Sequence, residues 1–378
     1  MGLSLKEIIE SYDPNAPLAE ALTPPSSWYV DPRILELERK TVFTRSWQAV
    51  GRSAQVREPG QFIACEVAGE PILVVRGNDG VLRGFFNVCR HHAAAVMTEA
   101  EGKTENLRCP YHGWTYNLAG ALILTPEFAG ARNFERSANG LIPTEAALWE
   151  GLVFVRLSTE GPSLEDFLGS DLAQRIRPLG LEKFHWVERR TYTLNCNWKV
   201  FIDNYLDGGY HIPHLHRGLH SVLDPVKYTI ETGERFCLQS SPICGEKADA
   251  ETARVRGGER ALYYWIYPNL MINYYERGVM DTNIVCPLSV HHTEVVFDFY
   301  FTDVSESARE HNLMSVAVSE RIQAEDIAIC ESVQRGLQSR SYKAGRLSVR
   351  REAGEHLFHR LLYADLKSGL STESSYQS

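Results

Sequence analysis

The chain has no apolar run of about 18 residues, the minimum for a helix that crosses a membrane. It has no basic stripe either. Its 39 Lys and Arg are mixed among 48 Asp and Glu for a net charge of −9, which argues against a nucleic-acid partner. No G-x-G-x-x-G fingerprint is present, so the sequence offers no built-in dinucleotide site. The opening MGLSLKEIIESYDP lacks an apolar signal core and is not the Arg-rich, acid-free segment of a transit peptide. Lys6 stands where a myristoylation signal needs Ser or Thr. These absences set the expectation of a soluble, cytoplasmic protein with neither membrane nor nucleic acid among its partners. Internal repeats and low-complexity tracts are also missing.

What is present is enough apolar residue, 44% of 378, to bury more than one core. Eight cysteines occur, at positions 65, 89, 109, 196, 237, 244, 286 and 330. In a long chain without a secretory signal they are not expected to form a disulfide framework. Two of them, Cys89 and Cys109, have histidines at short, repeated spacing.

Three stretches follow from the patterning. Residues 1–44 read as a lead-in, with a loop at Pro24–Ser27 and a short amphipathic helix over Asp31–Thr44. Residues 45–160 read as all-β: short alternating apolar runs are cut by Gly and Pro, and Asn78-Asp79-Gly80 is a hairpin signal. Residues 161–378 open with helical turns at Ser163–Leu168 and Leu172–Leu179. A strand at Arg189–Asn195 and a helix from Trp198 towards Gly208 follow. Strands are expected at Ala261–Tyr267, Met271–Tyr275, Thr282–Leu288 and Glu294–Thr302, then a long helix over Ser307–Leu337. Strands in series with helices packed on their sheet make the fold class α+β.

The strongest chemical signal is Cys89-Arg-His91, then seventeen residues, then Cys109-Pro-Tyr-His112. Each half supplies one thiolate and one imidazole. A [2Fe–2S] cluster of the Rieske type uses this set, with two Cys on one iron and two His on the other. Replacing two thiolates by neutral imidazoles removes negative charge and raises the reduction potential. Zinc fingers group two Cys and then two His, which is a different order. His92 has no partner at matching spacing and reads as a bystander.

CRHHAAAV with CPYHGWTY, and the whole stretch from Trp47 to Tyr116, resembles the Rieske domain of the ring-hydroxylating oxygenase superfamily. Such a domain can stand alone as a carrier of electrons. This chain continues for more than 200 residues beyond it, which raises the question of a second redox centre.

Residues 197–220, NWKVFIDNYLDGGYHIPHLHRGLH, hold His211, His214, His216 and His220 with Asp203 and Asp207. On a regular helix, positions 211 and 216 would stand about 140° apart, and Pro213 and Gly208-Gly209 disrupt helical geometry. The segment is expected to wrap round something, but spacing does not choose among the four histidines. Farther on, Ile322, Ile329, Val333 and Leu337 form an apolar stripe at helical spacing, with Asp326 on it and Glu325 pointing elsewhere. A buried carboxylate must be paired or bind metal. Two imidazoles and a carboxylate would make the facial triad of a non-haem Fe(II) oxygenase.

The resemblance to Rieske oxygenases makes the choice. NWKxxxDNYLDxxYHxPxxH implies iron ligands at His211 and His216, and EDIxxCExVQRGL implies the third at Asp326. It places Asn204 near the iron. It makes Asp207 the acid that joins cluster ligand His112 of one subunit to His211 of its neighbour, within a head-to-tail homotrimer. Many members carry that acid three residues before the first histidine, where this chain has Gly208. The implied catalytic part is a helix-grip-like antiparallel sheet flanked by helices. The implied activity inserts one oxygen atom from O2 into a C–H bond, with electrons from a separate ferredoxin or flavin reductase. An electron-transfer protein that keeps the cluster but oxygenates nothing is the alternative of another class; it would lack the triad.

Within the superfamily, YYWIYPNLMINYYERGVMDTNIVCPL (263–288), NYLDGGYHIPHLH and VVFDFYF resemble the choline monooxygenases. That resemblance implies hydroxylation of choline to betaine aldehyde hydrate. Carnitine, glycine betaine or another methylammonium compound, hydroxylated or N-demethylated, is the nearest alternative. A quaternary ammonium is recognised by aromatic faces through cation–π attraction. Tyr263, Trp265 and Tyr267 alternate on one strand and, with Tyr274, are the candidates for that cage. An aromatic-acid substrate would instead need a pocket Arg or Lys, for which Arg277 is the candidate.

Overall fold

The computed structural model describes residues 3–244 and 250–373. They fall into two units: Phe43–Phe167, and a second built from Met1–Val42 together with Leu168–Ser378.

The first unit is antiparallel β. Seven strands pair in the order Gln48–Arg52, Leu152–Arg156, Pro143–Trp149, Leu82–Phe86, Glu70–Arg76, Gln61–Val67, Glu101–Lys103. Its hairpins turn through pairs at positive φ, each a non-glycine residue followed by a glycine. Ala68 and Gly69 (φ 51° and 93°) join one pair, and Glu150 and Gly151 (φ 46° and 83°) another. The expected turn at Asn78-Asp79-Gly80 is present. Gly80 has φ 76°, and the Asp79 carboxylate accepts from the Val81 backbone N–H (3.1 Å) and pairs with Arg83 (2.6 Å). Ile63, Ile72, Val74, Val153 and Val155 fill one core. Phe62, Leu73, Leu107, Trp114 and Tyr116 fill the other, which contains Cys89 and Cys109. A small three-stranded sheet, Leu107–Arg108, Thr115–Tyr116 and Leu122–Leu124, supports the second of these.

The second unit is a seven-stranded antiparallel sheet with helices. Its order is His185–Leu194, His292–Phe301, Val279–Ser289, Leu270–Tyr275, Arg260–Ile266, Phe236–Pro242, Thr229–Thr232. The expected strands and the long helix, Arg309–Leu337, are present. The strands Thr229–Thr232 and Phe236–Pro242 and the helix Ala353–Glu373 were not expected from the patterning.

The helix Trp198–Leu206 leads into the histidine-bearing segment. Asn197 caps it, its Oδ1 accepting from the Lys199 N–H at 3.2 Å. A fully buried ion pair fixes it to the lead-in: Lys199 Nζ lies 2.7 Å from Glu38 Oε1, and Trp198 Nε1 donates to Glu38 Oε2 at 2.8 Å. Burial pulls the lysine down and pushes the glutamate up, while each partner's charge opposes the shift. Phe358 of the last helix packs edge-on against Trp198 and Trp265, with ring centres 5.6 and 5.5 Å away. Asp203, Glu355 and His359 also meet. Asp203 accepts from the Tyr29 hydroxyl (2.7 Å) and lies 2.9 Å from His359 Nε2, and burial raises the carboxyl of Glu355 well above its ordinary value.

The stripe expected on Arg309–Leu337 needs correction. Ile329 and Val333 are 37% and 45% exposed, and the buried line runs through Gln323, Cys330, Gln334 and Leu337. The helix meets the turn before Trp198 through polar contacts, which put amide-bearing residues on its inner face. Gln334 Oε1 accepts from the Asn197 N–H (2.8 Å), and Glu331 Oε1 from Asn195 Nδ2 (2.7 Å).

Candidate metal centres and substrate cavity

In the first unit, two loops repeat one hydrogen-bond pattern. The Cys89 N–H donates to the Ala94 carbonyl (2.8 Å) and its own carbonyl accepts from Ala93 (3.0 Å). Cys109 does the same with Trp114 (2.9 Å) and Gly113 (3.1 Å). The residue that closes each loop, Ala93 or Gly113, has positive φ, 59° and 70°. Two equivalent tight turns thus hold two buried thiols side by side. Burial pushes the Cys109 thiol up; the Tyr111 and His112 backbone donors oppose this, and Cys89 alongside adds to it. The Tyr116 hydroxyl lies 3.4 Å from Cys89 Sγ and accepts from the Arg90 N–H at 2.9 Å.

The imidazoles of His91 and His112 meet edge to face with centres 4.7 Å apart. His91 stacks on Trp114 (4.7 Å, 7°), and its Nδ1 is buried without a hydrogen-bond partner. Two adjoining thiols and an orphaned imidazole nitrogen are what a metal cluster would satisfy, so the residues fit the group. His92 stands 4.1 Å from His91, centre to centre, and is exposed.

In the second unit, one nitrogen or oxygen each from His211, His216 and Asp326 lie within 4.8 Å of one another. The chain achieves this by a break in the helix rather than on one helical face. Gly208 and Gly209 both have φ 68° and turn the chain after Leu206. Pro213 is the second residue of a one-turn helix, Ile212–Leu215, and His216 lies at the break before Arg217–Val222. His214 and His220 face solvent.

Each imidazole is oriented through its far nitrogen. His211 Nδ1 lies 2.6 Å from Asp207 Oδ2, and His216 Nδ1 lies 2.6 Å from Glu325 Oε2. Both Nε2 atoms are left facing Asp326 Oδ1, at 3.9 Å for His211 and 3.0 Å for His216. Carboxylate-backed imidazoles around a third ligand are the usual support of a metal-binding histidine pair. Asn204 Nδ2 donates to Asp326 Oδ1 at 2.8 Å. Burial lowers His216, and the carboxylates of Asp326 and Glu325 outweigh it, so the net shift is upward. This donor set fits a ferrous ion.

One expectation changes. Glu325 does not point away; it holds His216. Asp207 reaches His211 from four residues back because the glycine pair folds the chain onto it, and its Oδ2 also accepts from the His211 N–H at 2.9 Å.

A cavity of about 110 Å³ opens beside the triad, with His211, His216 and Asp326 in its wall. Its tyrosines are Tyr205, Tyr228, Tyr263 and Tyr275. Of the four aromatic residues expected there, only Tyr263 lines it. Trp265 and Tyr267 share its strand face but lie farther along, where Phe358 covers Trp265 and Asp365 accepts from the Tyr267 hydroxyl (2.5 Å). Tyr274 points to the opposite face of the sheet, against Phe184 at 5.8 Å. Arg277 sits exposed on a turn.

The reading from sequence missed Tyr205, Tyr228, Arg256 and Asp281. Strand register puts Gln239, Tyr263, Asn273 and Asp281 in one row across four strands. Burial raises Asp281, against the Arg256 charge and two amide donors.

Residues 46–135 match the family described as Rieske [2Fe-2S] domain, and residues 181–367 match ring hydroxylating alpha subunit (catalytic domain). The chloroplastic choline monooxygenase of Arabidopsis thaliana is 38% identical over 375 residues, covering 96% of this chain and 87% of that protein. The chain belongs to the Rieske non-haem iron monooxygenases.

As such it uses a [2Fe–2S] cluster and a mononuclear iron. The carnitine monooxygenase oxygenase subunit of Escherichia coli K12 is 30% identical, covering 91% of this chain and 93% of that one. A solved quaternary ammonium Rieske monooxygenase in complex with L-carnitine superposes with a TM-score of 0.80 at 26% identity, covering 97% of this chain and 99% of that one. Naphthalene 1,2-dioxygenase from Rhodococcus shares the fold, with a TM-score of 0.77 at 21% identity and 97% of each chain covered. Among the described residues, no helix is long and apolar enough to cross a membrane.

Proposed function

We propose that this Rieske oxygenase acts on a small quaternary ammonium compound, and that the tyrosine-walled cavity ending on His211, His216 and Asp326 is where it does so. The observation that carries the reading is the placement of four tyrosines and a carboxylate, Asp281, in the wall that also holds the triad. A quaternary ammonium offers no N–H, so aromatic faces and a diffuse negative charge are what can hold it. The cavity's size suits a compact molecule, being of the same order as one that takes up benzene.

In this reading Cys89, His91, Cys109 and His112 hold the cluster, within a Rieske domain of residues 45–160. His211, His216 and Asp326 hold the iron in a catalytic domain of residues 161–378, against which the lead-in 1–44 packs. The iron, when bound, supplies O2 activation with electrons delivered through the cluster. Asn204 keeps Asp326 in place, and Asp207 and Glu325 orient the two imidazoles. Asp207 also joins His112 of one subunit to His211 of the next in a homotrimer, so that electrons cross between subunits. One solved relative is described as giving insight into carnitine oxidation and inter-subunit electron transfer. A separate cytoplasmic ferredoxin or flavin reductase supplies the electrons.

Similarity favours choline, hydroxylated to betaine aldehyde hydrate, as substrate. The buried guanidinium of Arg256 favours a second reading, a methylammonium compound that also bears a carboxylate. The test is a single turnover of chemically reduced, iron-loaded protein under labelled O2 with choline, carnitine, glycine betaine or benzoate. The expected result is labelled, oxygenated or demethylated product from a methylammonium compound. Product from benzoate alone would overturn the proposal.

A further inference from the structure

The cavity wall holds two buried groups of opposite charge that sense each other but form no direct ion pair. Asp281 is 3% exposed. Its Oδ2 accepts from Asn273 Nδ2 (2.7 Å) and Asn283 Nδ2 (2.9 Å), and its Oδ1 accepts from no described residue. Arg256 is 2% exposed. Its Nη1 donates to Ser315 Oγ (2.8 Å), and its Nη2 to Ser319 Oγ and the Ser315 carbonyl (3.4 Å). Its guanidinium carbon lies 4.5 Å from the ring centre of Tyr275, and it pairs with no described carboxylate. Both residues line the cavity.

Burying two ionisable groups is costly, and at a separation that allows no direct pair their mutual attraction offsets only part of that cost. Hydroxyls and an aromatic face solvate Arg256 without cancelling its charge. Three hydrogen bonds use three of the five guanidinium N–H donors. The two amides fix the Asp281 carboxylate while leaving one oxygen bare. A carboxylate oxygen that no protein donor occupies is open to a ligand cation, and a methylated ammonium can meet it by charge without donating a hydrogen bond.

We propose that Asp281 and Arg256 are a specificity-determining pair that selects a zwitterion, Asp281 facing the quaternary ammonium and Arg256 the carboxylate of a short methylammonium carboxylate. The pair rests on the quaternary-ammonium reading above and narrows it: a ligand bearing both charges completes both residues at once. Choline, with an alcohol in place of the carboxylate, completes only Asp281.

The test is calorimetric binding to the oxidised holoprotein, with no turnover. The probes are glycine betaine, its longer homologue γ-butyrobetaine, choline, and 3,3-dimethylbutanoate, which keeps the shape and carboxylate of glycine betaine but has carbon in place of nitrogen. One of the two zwitterions is expected to bind at least about tenfold more tightly than choline and than 3,3-dimethylbutanoate, since each single-charge probe leaves one buried ion uncompensated. Arg256→Gln is expected to erase the advantage over choline, and Asp281→Asn the advantage over 3,3-dimethylbutanoate. Choline binding as tightly as either zwitterion, or Arg256→Gln weakening choline and the zwitterions equally, would overturn the pair. The ligand comparison on the unaltered protein decides even if a variant does not fold. If choline alone binds and is oxygenated, the zwitterion pair fails and the quaternary-ammonium reading stands. If no methylammonium probe binds or is oxygenated, both fail.

Discussion

The cluster loops and the iron pocket are built in opposite ways. The four cluster candidates lie on two short turns of identical hydrogen bonding, and every bond that shapes a turn joins residues four or five apart. The iron candidates meet across more than a hundred residues. His216 is brought to Asp326 and Glu325 of the long helix, and the cavity beyond takes its wall from several strands and that helix. A site made of local turns writes itself into short sequence spacing. One made of long-range contacts depends on register, helix breaks and packing.

The largest expected effect separates the two. Cys109→Ala should remove the visible absorption of the cluster and abolish turnover, yet leave mononuclear iron in the other unit. Iron analysis with optical spectroscopy reads both, and loss of both metals together would break the comparison.

A smaller effect is expected at the chain turn that the iron pocket needs. Gly208 has φ 68°, and a Cβ there would lie 2.1 Å from the Arg351 carbonyl oxygen. Gly208→Ala should cost about 1–3 kcal/mol in denaturant unfolding and loosen iron, because a strained left-handed residue must displace backbone. Unchanged stability and iron content would show that the pocket tolerates another turn.

The smallest effect is at Glu325. Glu325→Gln should weaken iron binding by about tenfold, the lower end for loss of a carboxylate that backs a metal-binding histidine. A competition titration with a chelator measures it. No change would return Glu325 to the surface role its position off the stripe suggested.

The same contrast explains what could be read in advance. Cys89-x-His91 and Cys109-x-x-His112 name a cluster by spacing alone. Alternation gave the strands from Arg260 to Phe301, since each has one face on the core. Phe236–Pro242 is buried along nearly its whole length and shows no alternation, so it gave no signal. His211 and His216 could be chosen only by resemblance, because a break at Gly208-Gly209 and another at His216 remove any helical period. Glu325 looked outward because a helix position says nothing about a histidine arriving from another segment. Asp281 and Arg256 were silent for the same reason: one belongs to a strand row set by pairing, and the other follows a short helix. Trp265 and Tyr267 were placed in the pocket because they share a face with Tyr263. The sequence does not show that the last helix covers that part of the face.

The most direct test of the account is Asp326→Ala, read by iron content and by optical and electron paramagnetic resonance spectra of the same sample. The account predicts an intact cluster signal, no mononuclear iron and no oxygenated product. Retention of the mononuclear iron with normal turnover would contradict it, and would move the iron away from His211, His216 and Asp326.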